Sequence, residues 1–465
     1  MVFQPFLIQI FILLSGIFFT NGSILPATTP PPNFIFILTD DQGWSSTSFL
    51  MDRNIASSAS DFFETPQMKR LAEMGMRFSN GYAPAPLCSP TRRSIQFGQT
   101  PARQGEKAFN ATHNPVNFPR LTIPLMLKAA NPSYQTAHYG KWDLRSGVFP
   151  EDLGYDESDG NTGNRNGNIF QGKDEKWTEV FVSSDPKKIE SITARGLNFM
   201  ERQVRSGTPF YLQLSHYATH VDMQTREETL AKYENKPPGK AHYLPGYAGM
   251  LEDLDTGVGA ILDKVEALGI SKNTYIILMS DNGGVPFVPP GPDYLVHPSE
   301  YPQTGRNFPL RGGKWTVFEG GIRVPFLVAG PGIPANQQCD QPVIGWDILP
   351  TLADLAGYAP VLPEDIDGVS IRPLLEKGNQ GTIHRTDFGL VFHRFGEGRK
   401  QSAIRIGDDK LVKLWKTNEL LLFDLKNDPG ELTDLSQKYP EKVARLHENL
   451  IAYLSKVDSE VLIKK

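Results

Sequence analysis

The feature that most constrains this chain of 465 residues is a set of short apolar runs, each followed by polar or charged residues. They are NFIFIL before Asp40 and Asp41, QTAHYG before Lys141, FYLQLS before His216 and His220, and TYIILMS before Asp281 and Asn282. Runs such as NFIFIL and YIILM do not alternate between apolar and polar residues, which is typical of central strands in a parallel sheet covered on both faces. The runs therefore predict an α/β fold.

Helical patterns lie between these runs. Residues 187–205 form one, and residues 246–268 form another with apolar side chains at helical spacing. Strands that alternate with helices predict a large, mixed but mostly parallel sheet sandwiched by helices. Ligands bind beyond the carboxyl ends of the strands in such sheets. We therefore expect the polar residues after the runs to converge there, namely Asp40, Asp41, Lys141, His220, Asp281 and Asn282.

The last hundred residues differ in character from the rest. Short strand-like pieces, SAIRIG and KLVKLWK, precede a helix predicted over residues 440–456. We predict a large N-terminal domain over residues 33–358 and a smaller C-terminal α+β subdomain, of antiparallel strands and one helix, over residues 359–465. Residues 161–176 and 285–308 are rich in Gly, Asn or Pro, which predicts surface loops long enough to face a substrate.

The N-terminus carries an apolar stretch, residues 6–19, which is too short to span a bilayer comfortably and suits the core of a signal peptide. We predict a signal peptide over residues 1–22 and an extended linker over residues 23–32, with a short N-terminal anchor as the alternative. A signal peptide implies a secreted or periplasmic protein, lumenal or extracellular in a eukaryote, without stable membrane insertion. The formal net charge of −5 argues against a nucleic-acid partner.

Carboxylates are paired with polar neighbours at two predicted strand ends. Asp40 and Asp41 are adjacent at one, and Asp281 stands beside Asn282 at the other. Adjacent carboxylates in such a turn repel each other unless a cation binds them. Carboxylate and amide oxygens suit Ca²⁺ or Mg²⁺ better than Zn²⁺. One Asp after a strand is more often a turn or capping residue, but two such pairs indicate a metal site.

Cys88 lies in the stretch LCSPTRRSIQFG, beside Pro90, Arg92 and Arg93, in a chain with two cysteines. Proline suits the first turn of a helix, and a helix N-terminus with arginines would stabilise anionic oxygens at residue 88. The residues alone leave three interpretations open: a buried inert thiol, a low-pKa thiolate nucleophile, or an anion site beside a metal.

CSPTR resembles the signature Cys-x-Pro-(Ser/Ala/Thr)-Arg of the type I, formylglycine-dependent sulfatases, the arylsulfatase-like branch of the alkaline phosphatase superfamily. ILTDDQGW and MSDNGG resemble that family's metal-binding strands, RGGKWTVFEGGIRVP its lysine loop, and LLFDLKNDPGELTDL its C-terminal subdomain. The resemblance extends from residue 33 to about residue 455. It implies an alkaline phosphatase-like fold, a sulfatase catalytic domain over residues 33–358 and a sulfuric ester hydrolase activity.

In that family the cysteine is oxidised after translation to formylglycine (3-oxoalanine), so a disulfide between Cys88 and Cys339 would be self-defeating. The resemblance implies that formylglycine at position 88 is hydrated to a geminal diol, which binds Ca²⁺, in preference to Mg²⁺, and attacks sulfur. The positions that match the family's metal ligands are Asp40, Asp41, Cys88, Asp281 and Asn282.

Four further positions match catalytic residues of the family. Arg92 matches the arginine that holds the formylglycine. Lys141 and Lys314 match the lysines that bind sulfate oxygens, where positive charge stabilises the breaking S–O bond. His220, in SHYATH, matches the histidine that protonates the leaving alcohol. His216 is the rival for this role, and we expect it in the core or behind the site instead.

One position departs from the family pattern. Where the family reads Gly-Lys-Trp-His, this chain has GKWDL, so Asp143 replaces the histidine that interacts with the diol and helps to expel sulfate. A carboxylate can still accept a proton. We interpret the change as altered kinetics or specificity.

Three hypotheses follow. The first is a secreted sulfatase that releases inorganic sulfate from a sulfated polysaccharide or oligosaccharide and depends on a formylglycine-generating maturation enzyme. The second is a phosphatase or phosphonate monoester hydrolase of the same superfamily, because some of those hydrolases share the cysteine signature. The third is a non-catalytic glycan-binding homologue in which Asp143 marks the first lost residue.

Overall fold

The structure, a computed structural model, describes residues 1–2, 30–105, 120–145, 147–171, 179–285, 307–396 and 399–462. The predicted signal peptide after residue 2, most of the linker and most of the predicted loop 285–308 lie outside the described residues. Residues Pro31–Lys465 form one compact unit, and Met1–Pro30 form another. None of the helices in the described part of the chain is long and apolar enough to cross a membrane.

The described residues contain two larger sheets and two strand pairs. In chain order the strands are β1 (Asn33–Thr39), β2 (Met76–Phe78), β3 (Gly81–Tyr82), β4 (Gln135–Gly140), β5 (Glu157–Ser158), β6 (Val180–Val182), β7 (Phe210–Ser215), β8 (Met223–Thr225), β9 (Thr274–Ser280), β10 (Phe326–Ala329), β11 (Gln337–Cys339), β12 (Val343–Ile344), β13 (Leu390–Gly396), β14 (Arg399–Ile406), β15 (Asp409–Leu414) and β16 (Glu419–Asp424). The four apolar runs of the sequence form β1, β4, β7 and β9.

The large sheet has eight strands in the order β11-β2-β10-β9-β1-β7-β4-β5. Its central strands β9, β1, β7 and β4 are parallel neighbours, whereas β10 is antiparallel to both β9 and β2. The prediction of a mixed, mostly parallel sheet is therefore confirmed. Because the four central strands run in the same direction, their carboxyl ends lie at one edge of the sheet.

Helices accompany the sheet on both faces. In chain order the α-helices of the described residues are α1 (Pro66–Met74), α2 (Cys88–Phe97), α3 (Pro101–Gln104), α4 (Ile123–Ala130), α5 (Ile189–Ser206), α6 (Glu227–Glu234), α7 (Pro245–Ala267), α8 (Glu319–Ile322), α9 (Ile348–Leu355), α10 (Arg372–Lys377) and α11 (Pro440–Lys456). The helical patterns predicted over residues 187–205 and 246–268 correspond to α5 and α7, within two residues at each end.

Strand β1 shows why its sequence is apolar throughout. Ile35 and Ile37 point into a core shared with α1, α5 and α7, whereas Phe34 and Phe36 point into a second core shared with α2, α4 and α9. These side chains are almost completely buried. Burial contributes roughly 1.5–3 kcal/mol for each such side chain, so both faces of the strand stabilise the sandwich.

The C-terminal sheet contains β13, β14, β15 and β16 in this order, and each neighbouring pair is antiparallel. One face packs against α11, through Leu446, Leu450 and Leu454. The other face forms a core with Val317 and Phe318, which follow Lys314 in the chain. The predicted architecture of antiparallel strands and one helix is confirmed, and the boundary at residue 358 stays a prediction.

Candidate active site

Polar residues from neighbouring strands of the large sheet meet at its carboxyl edge. Asp40 follows β1, Lys141 follows β4, Asp281 and Asn282 follow β9, and His220 lies in the turn after β7. All five residues are buried. Their side chains meet because the strands that precede them are parallel neighbours.

The centre of this edge is a compact cluster of potential ligands. One ligand atom from each member lies within 4.8 Å of the others, and the members are Asp40, Asp41, Cys88 and His220. Asp41 has a left-handed backbone (φ 58°), which turns the chain directly after β1. Its Oδ1 accepts a hydrogen bond from Asn282 Nδ2 (2.7 Å), and its backbone N–H donates to Asp281 Oδ1 (3.2 Å). The turn thus joins the pair Asp40 and Asp41 to the pair Asp281 and Asn282.

Cys88 is the first residue of α2, so the N-terminus of this helix lies at the carboxylates. Its Sγ is 3.4 Å from Asp40 Oδ1 and 3.9 Å from Asp41 Oδ1. Burial and the neighbouring Asp281 and Asp40 raise the pKa of the Cys88 thiol well above its usual value. This opposes the interpretation of Cys88 as a low-pKa thiolate. Cys88 and Cys339 are both free, as expected.

Each of the three carboxylates pairs with a buried cation. The pairs are Arg92 Nη2 with Asp281 Oδ2 (2.7 Å), Lys141 Nζ with Asp40 Oδ2 (2.5 Å) and Lys314 Nζ with Asp41 Oδ2 (2.7 Å). Buried charges are tolerated when they are paired and hydrogen-bonded in this way. The structure therefore brings together the residues that the motifs predicted as ligands and as sulfate-binding cations.

These pairs determine the charge state of the site. Burial opposes ionisation of Asp40, but Lys141, His220 and Arg92 outweigh it, so the pKa of Asp40 lies well below its usual value. Burial lowers the pKa of Lys141, but Asp40, Cys88 and Asp143 together outweigh burial and leave that pKa above its usual value. Burial and Asp40 raise the pKa of Asp281 to about 7, against the opposing effect of Arg92. A further cation beside Asp281 would therefore favour its ionised form.

The donor set fits a divalent cation. Asp40, Asp41 and Asp281 supply carboxylate oxygens, and Asn282 Oδ1 is buried without a hydrogen-bond partner among the described residues. A buried polar atom without a partner is uncommon in proteins, and a cation would satisfy this one. Carboxylate and amide oxygens are hard donors, which favours Ca²⁺ or Mg²⁺ over Zn²⁺.

Lys314 reaches the cluster from a loop that is held on two sides. Near the cluster, the next residue, Trp315, donates its backbone N–H to Pro86 O (2.7 Å), just before the start of α2. At the end of the loop, Glu319, the first residue of α8, accepts at Oε1 from Nζ of the buried Lys410 in β15 (2.8 Å). The C-terminal sheet therefore helps to fix the loop that carries Lys314.

His220 faces the cluster through one ring nitrogen. Its Nε2 lies 3.8 Å from Asp41 Oδ2, and its Nδ1 lies 2.7 Å from Val221 O, which favours the tautomer with the proton on Nδ1. Burial and Lys314 lower the pKa of His220 to about 4, so the ring is neutral near pH 7. Burial also lowers the pKa of His216 to about 4, and His216 is not a member of the cluster.

Asp143 lies beside Ser89, the residue that follows Cys88. Its Oδ2 accepts a hydrogen bond from Ser89 Oγ (2.9 Å) and lies 4.0 Å from Lys141 Nζ. Its Oδ1 is 3.8 Å from Nε of the exposed Arg145. Asp143 retains 13% of its side-chain exposure, unlike the fully buried Asp40 and Asp41. Asp143 thus lies at the rim of the cluster.

Two contacts of the site were missed by sequence reasoning. Ser89 occupies the variable position of the cysteine signature, where residue type carries no signal. Thr219 Oγ1 lies 3.1 Å from Asp40 O and 3.2 Å from Asp41 O, and it stabilises the turn that carries both carboxylates. A threonine in SHYATH has no spacing or charge that distinguishes it, so no local pattern could have identified it.

Comparison with known families agrees with this geometry. The family described as Sulfatase matches residues 32–358, which is more than half of the chain. The family described as N-sulphoglucosamine sulphohydrolase, C-terminal, matches residues 313–459. The two matches overlap across the loop that carries Lys314 and extend over the C-terminal sheet.

Individual proteins are similar over most of the chain. N-acetylgalactosamine-6-sulfatase of Mus musculus is 29% identical over 437 residues, which cover 88% of this chain and 76% of that protein. The crystal structure of Ps i-CgsB in complex with k-i-k-neocarrahexaose has a TM-score of 0.71 and 25% identity, and the match covers 91% of this chain and 93% of that chain. Phosphonate monoester hydrolase of Agrobacterium radiobacter shares the fold, with a TM-score of 0.65, 18% identity, and coverage of 92% and 96%.

Proposed function

The chain belongs to the sulfatase family, and from this premise we propose that it hydrolyses a sulfate ester of a carbohydrate and releases inorganic sulfate. The observation that carries the proposal is Cys88 at the start of α2, clustered with Asp40 and Asp41 and enclosed by Lys141 and Lys314. Burying this many charges is costly for a fold. Such arrangements are typical of catalytic sites, where shifted pKa values and fixed charges serve the chemistry.

Two groups would complete the site. A formylglycine made from Cys88 supplies, when hydrated, a hydroxyl nucleophile, and a Ca²⁺ held by Asp40, Asp41, Asp281 and Asn282 supplies positive charge beside it. The unpaired Asn282 Oδ1 supports the second assignment. A formylglycine-generating maturation enzyme is therefore part of the proposal as a partner of this chain.

The cations of the chain would bind and polarise the sulfate group. Lys141 and Lys314 reach the cluster from two different loops, so they can hold two sulfate oxygens at once. Negative charge grows on the ester oxygen as the S–O bond breaks, and fixed positive charge in a buried site stabilises it. Arg92 donates to both Asp281 and Lys141 O (2.6 Å), and thereby holds these two residues in position.

Two proton transfers are assigned to residues on either side of Cys88. His220 would protonate the leaving alcohol through Nε2, and the negative charge of a bound sulfate ester would raise its pKa from the low value of the substrate-free site. Asp143, hydrogen-bonded to Ser89, would accept a proton near position 88 as sulfate leaves. A carboxylate can accept a proton, so Asp143 could take the role that the histidine has in the family pattern.

Two findings support a carbohydrate as the substrate. The relative from Mus musculus is named for N-acetylgalactosamine 6-sulfate, and Ps i-CgsB was solved with a bound neocarrahexaose. We extend the proposal to the compartment: the predicted signal peptide would export the chain to the periplasm, the lumen of the secretory pathway or the medium. The exported chain would encounter sulfated polysaccharides in these compartments.

The test is sulfate release by protein matured with a formylglycine-generating enzyme. The panel contains N-acetylgalactosamine 6-sulfate, carrageenan oligosaccharides, 4-nitrophenyl sulfate and a phenyl phosphonate monoester. Cys88→Ala is the inactive control, and Lys128→Met, which breaks a half-exposed ion pair with Asp156 (2.6 Å), is the active control. Sulfate released from a sugar by the wild type and not by Cys88→Ala supports the proposal. Preferred turnover of the phosphonate ester, or binding of the sugar without turnover, would contradict it.

A further inference from the structure

A buried lysine lies outside the cluster and has no role in the proposed reaction. Lys187, just before α5, is fully buried, and its Nζ donates to Asp222 Oδ1 (2.8 Å) and to Asn168 Oδ1 (3.0 Å). Burial lowers the pKa of Lys187 to about 8, although Asp222 opposes the shift. Apolar side chains of similar volume often serve a fold as well as a buried ion pair. The pair therefore indicates a requirement for fixed geometry.

Asp222 joins three segments of the chain. Its Oδ1 also accepts from Gln224 Nε2 (3.0 Å), and its Oδ2 accepts from Phe170 N (3.2 Å). Gln224 Nε2 donates to Gly167 O as well (2.8 Å), and Gln224 Oε1 accepts from the backbone N–H of Lys187 (2.8 Å). We call Lys187, Asp222, Gln224 and Asn168 the Lys187 cluster. Its hydrogen bonds hold the three segments to one another.

The Lys187 cluster connects two segments that border the candidate active site. Asp222 lies two residues after His220, in the same turn that follows β7. The other segment starts at Thr162, whose carbonyl accepts from the backbone N–H of Asp143 (2.8 Å), and it reaches Asp222 through Phe170. The segments that hold the residues assigned to the two proton transfers are therefore connected through the Lys187 cluster.

We propose that the Lys187 cluster positions His220. It does so by holding the turn after β7 against residues 162–170. This sets the distance from His220 Nε2 to the leaving oxygen. The inference rests on the proposed function, because it requires His220 to protonate a leaving alcohol. Proton transfer needs heavy atoms within hydrogen-bond reach, and a misplacement of about 1 Å costs on the order of 100-fold in rate. Lys187 and Asp222 are thus positioning residues.

The test uses the dependence of the rate on the leaving group. The phenolate of 4-nitrophenyl sulfate is weakly basic and leaves without a proton donor, whereas that of 4-methoxyphenyl sulfate is more basic and gains from one. We expect Lys187→Met to lower kcat for 4-methoxyphenyl sulfate by about 10- to 100-fold. The kcat for 4-nitrophenyl sulfate should stay within about threefold of wild type. KM should change little for either ester, because Lys141 and Lys314 still bind the sulfate.

Two further variants keep the test decisive. Asp222→Asn preserves the size of the side chain and removes its charge, and it should show the same pattern if Lys187→Met folds poorly. Lys128→Met removes a lysine from a half-exposed ion pair with Asp156, and it should leave both rates unchanged. Thermal unfolding of each variant, measured alongside, reports any loss of folded protein separately from the rates.

The outcomes separate the inference from the proposed function. Equal losses for both esters in Lys187→Met and Asp222→Asn, or wild-type rates in both, overturn the positioning role and leave the proposed function intact. A His220→Ala variant that slows both esters equally overturns the role of His220 as the acid, and the inference with it. A matured wild-type protein that releases sulfate from neither aryl ester and from none of the sulfated sugars overturns both.

Discussion

Ca²⁺ should stabilise this protein even when Cys88 is unmodified. The carboxylates of Asp40, Asp41 and Asp281 and the unpaired Asn282 Oδ1 are already gathered in the folded protein, whereas unfolding would separate them. An ion that binds only the folded state stabilises it by RT ln(1 + [L]/Kd). This amounts to about 2.7 kcal/mol when the free Ca²⁺ concentration is about 100 times its Kd.

The entropy of unfolding, which scales with the length of the compact unit, relates this free energy to a change in Tm. Unfolding a unit of the length of Pro31–Lys465 has an entropy of roughly 0.9 kcal/mol per kelvin. We therefore expect saturating Ca²⁺ to raise Tm by about 3 °C. Asp281→Asn removes a ligand charge, and Asn282→Ala removes the unpaired amide oxygen. Each should reduce the rise to less than about 1 °C.

Scanning calorimetry of EDTA-treated protein, with and without millimolar Ca²⁺, measures the rise in Tm. Asp263→Asn is the matched control, because it removes an exposed carboxylate that pairs with Arg70 near the end of α7. Asp263 is not among the proposed ligands, so this variant should keep the full rise in Tm. Mg²⁺ in parallel should produce a smaller rise if the site prefers Ca²⁺. The reasoning is refuted if the wild type shows no rise, or if Asp281→Asn shows the same rise as the wild type.

Single contacts support three more predictions. Gly283→Ala would place a Cβ 1.8 Å from Gly320 O in the lysine loop; sulfate release should fall by about tenfold or more, and an unchanged rate would contradict this. Leu450→Ala in α11 should lower the free energy of unfolding by about 2–5 kcal/mol in urea titrations; a loss below about 1 kcal/mol would mean that the helix repacks. Burial raises the pKa of Asp255 to about 7, so its contribution to stability is complete below its ordinary pKa and is lost as the pH rises through about 7. The stability of the wild type relative to Asp255→Asn should therefore fall by about 1 kcal/mol or more between about pH 5 and pH 7, and a constant difference would show that this pKa is not raised.

Much of the fold could be predicted because its evidence is local. The runs that form β4, β7 and β9 end at the same residues in the sequence and in the structure, and the predicted helix over residues 440–456 is α11. A strand buried on both faces needs apolar residues at consecutive positions, and a helix needs them at helical spacing. Both patterns can be read within one segment. The motifs around Asp40, Cys88 and Asp281 are equally local.

What the sequence by itself determined is the set of elements and the residues available for chemistry. Only the tertiary structure decided how the charges are paired: Lys141 with Asp40 across 101 positions of the chain, and Lys314 with Asp41 across 273. It also brought Ser89 to Asp143 and joined Lys187 to Asp222. The physical reason is distance, because hydrogen bonds and buried ion pairs act over about 3 Å. Positions far apart in the chain come within that distance only after the strands have taken their order in the sheet.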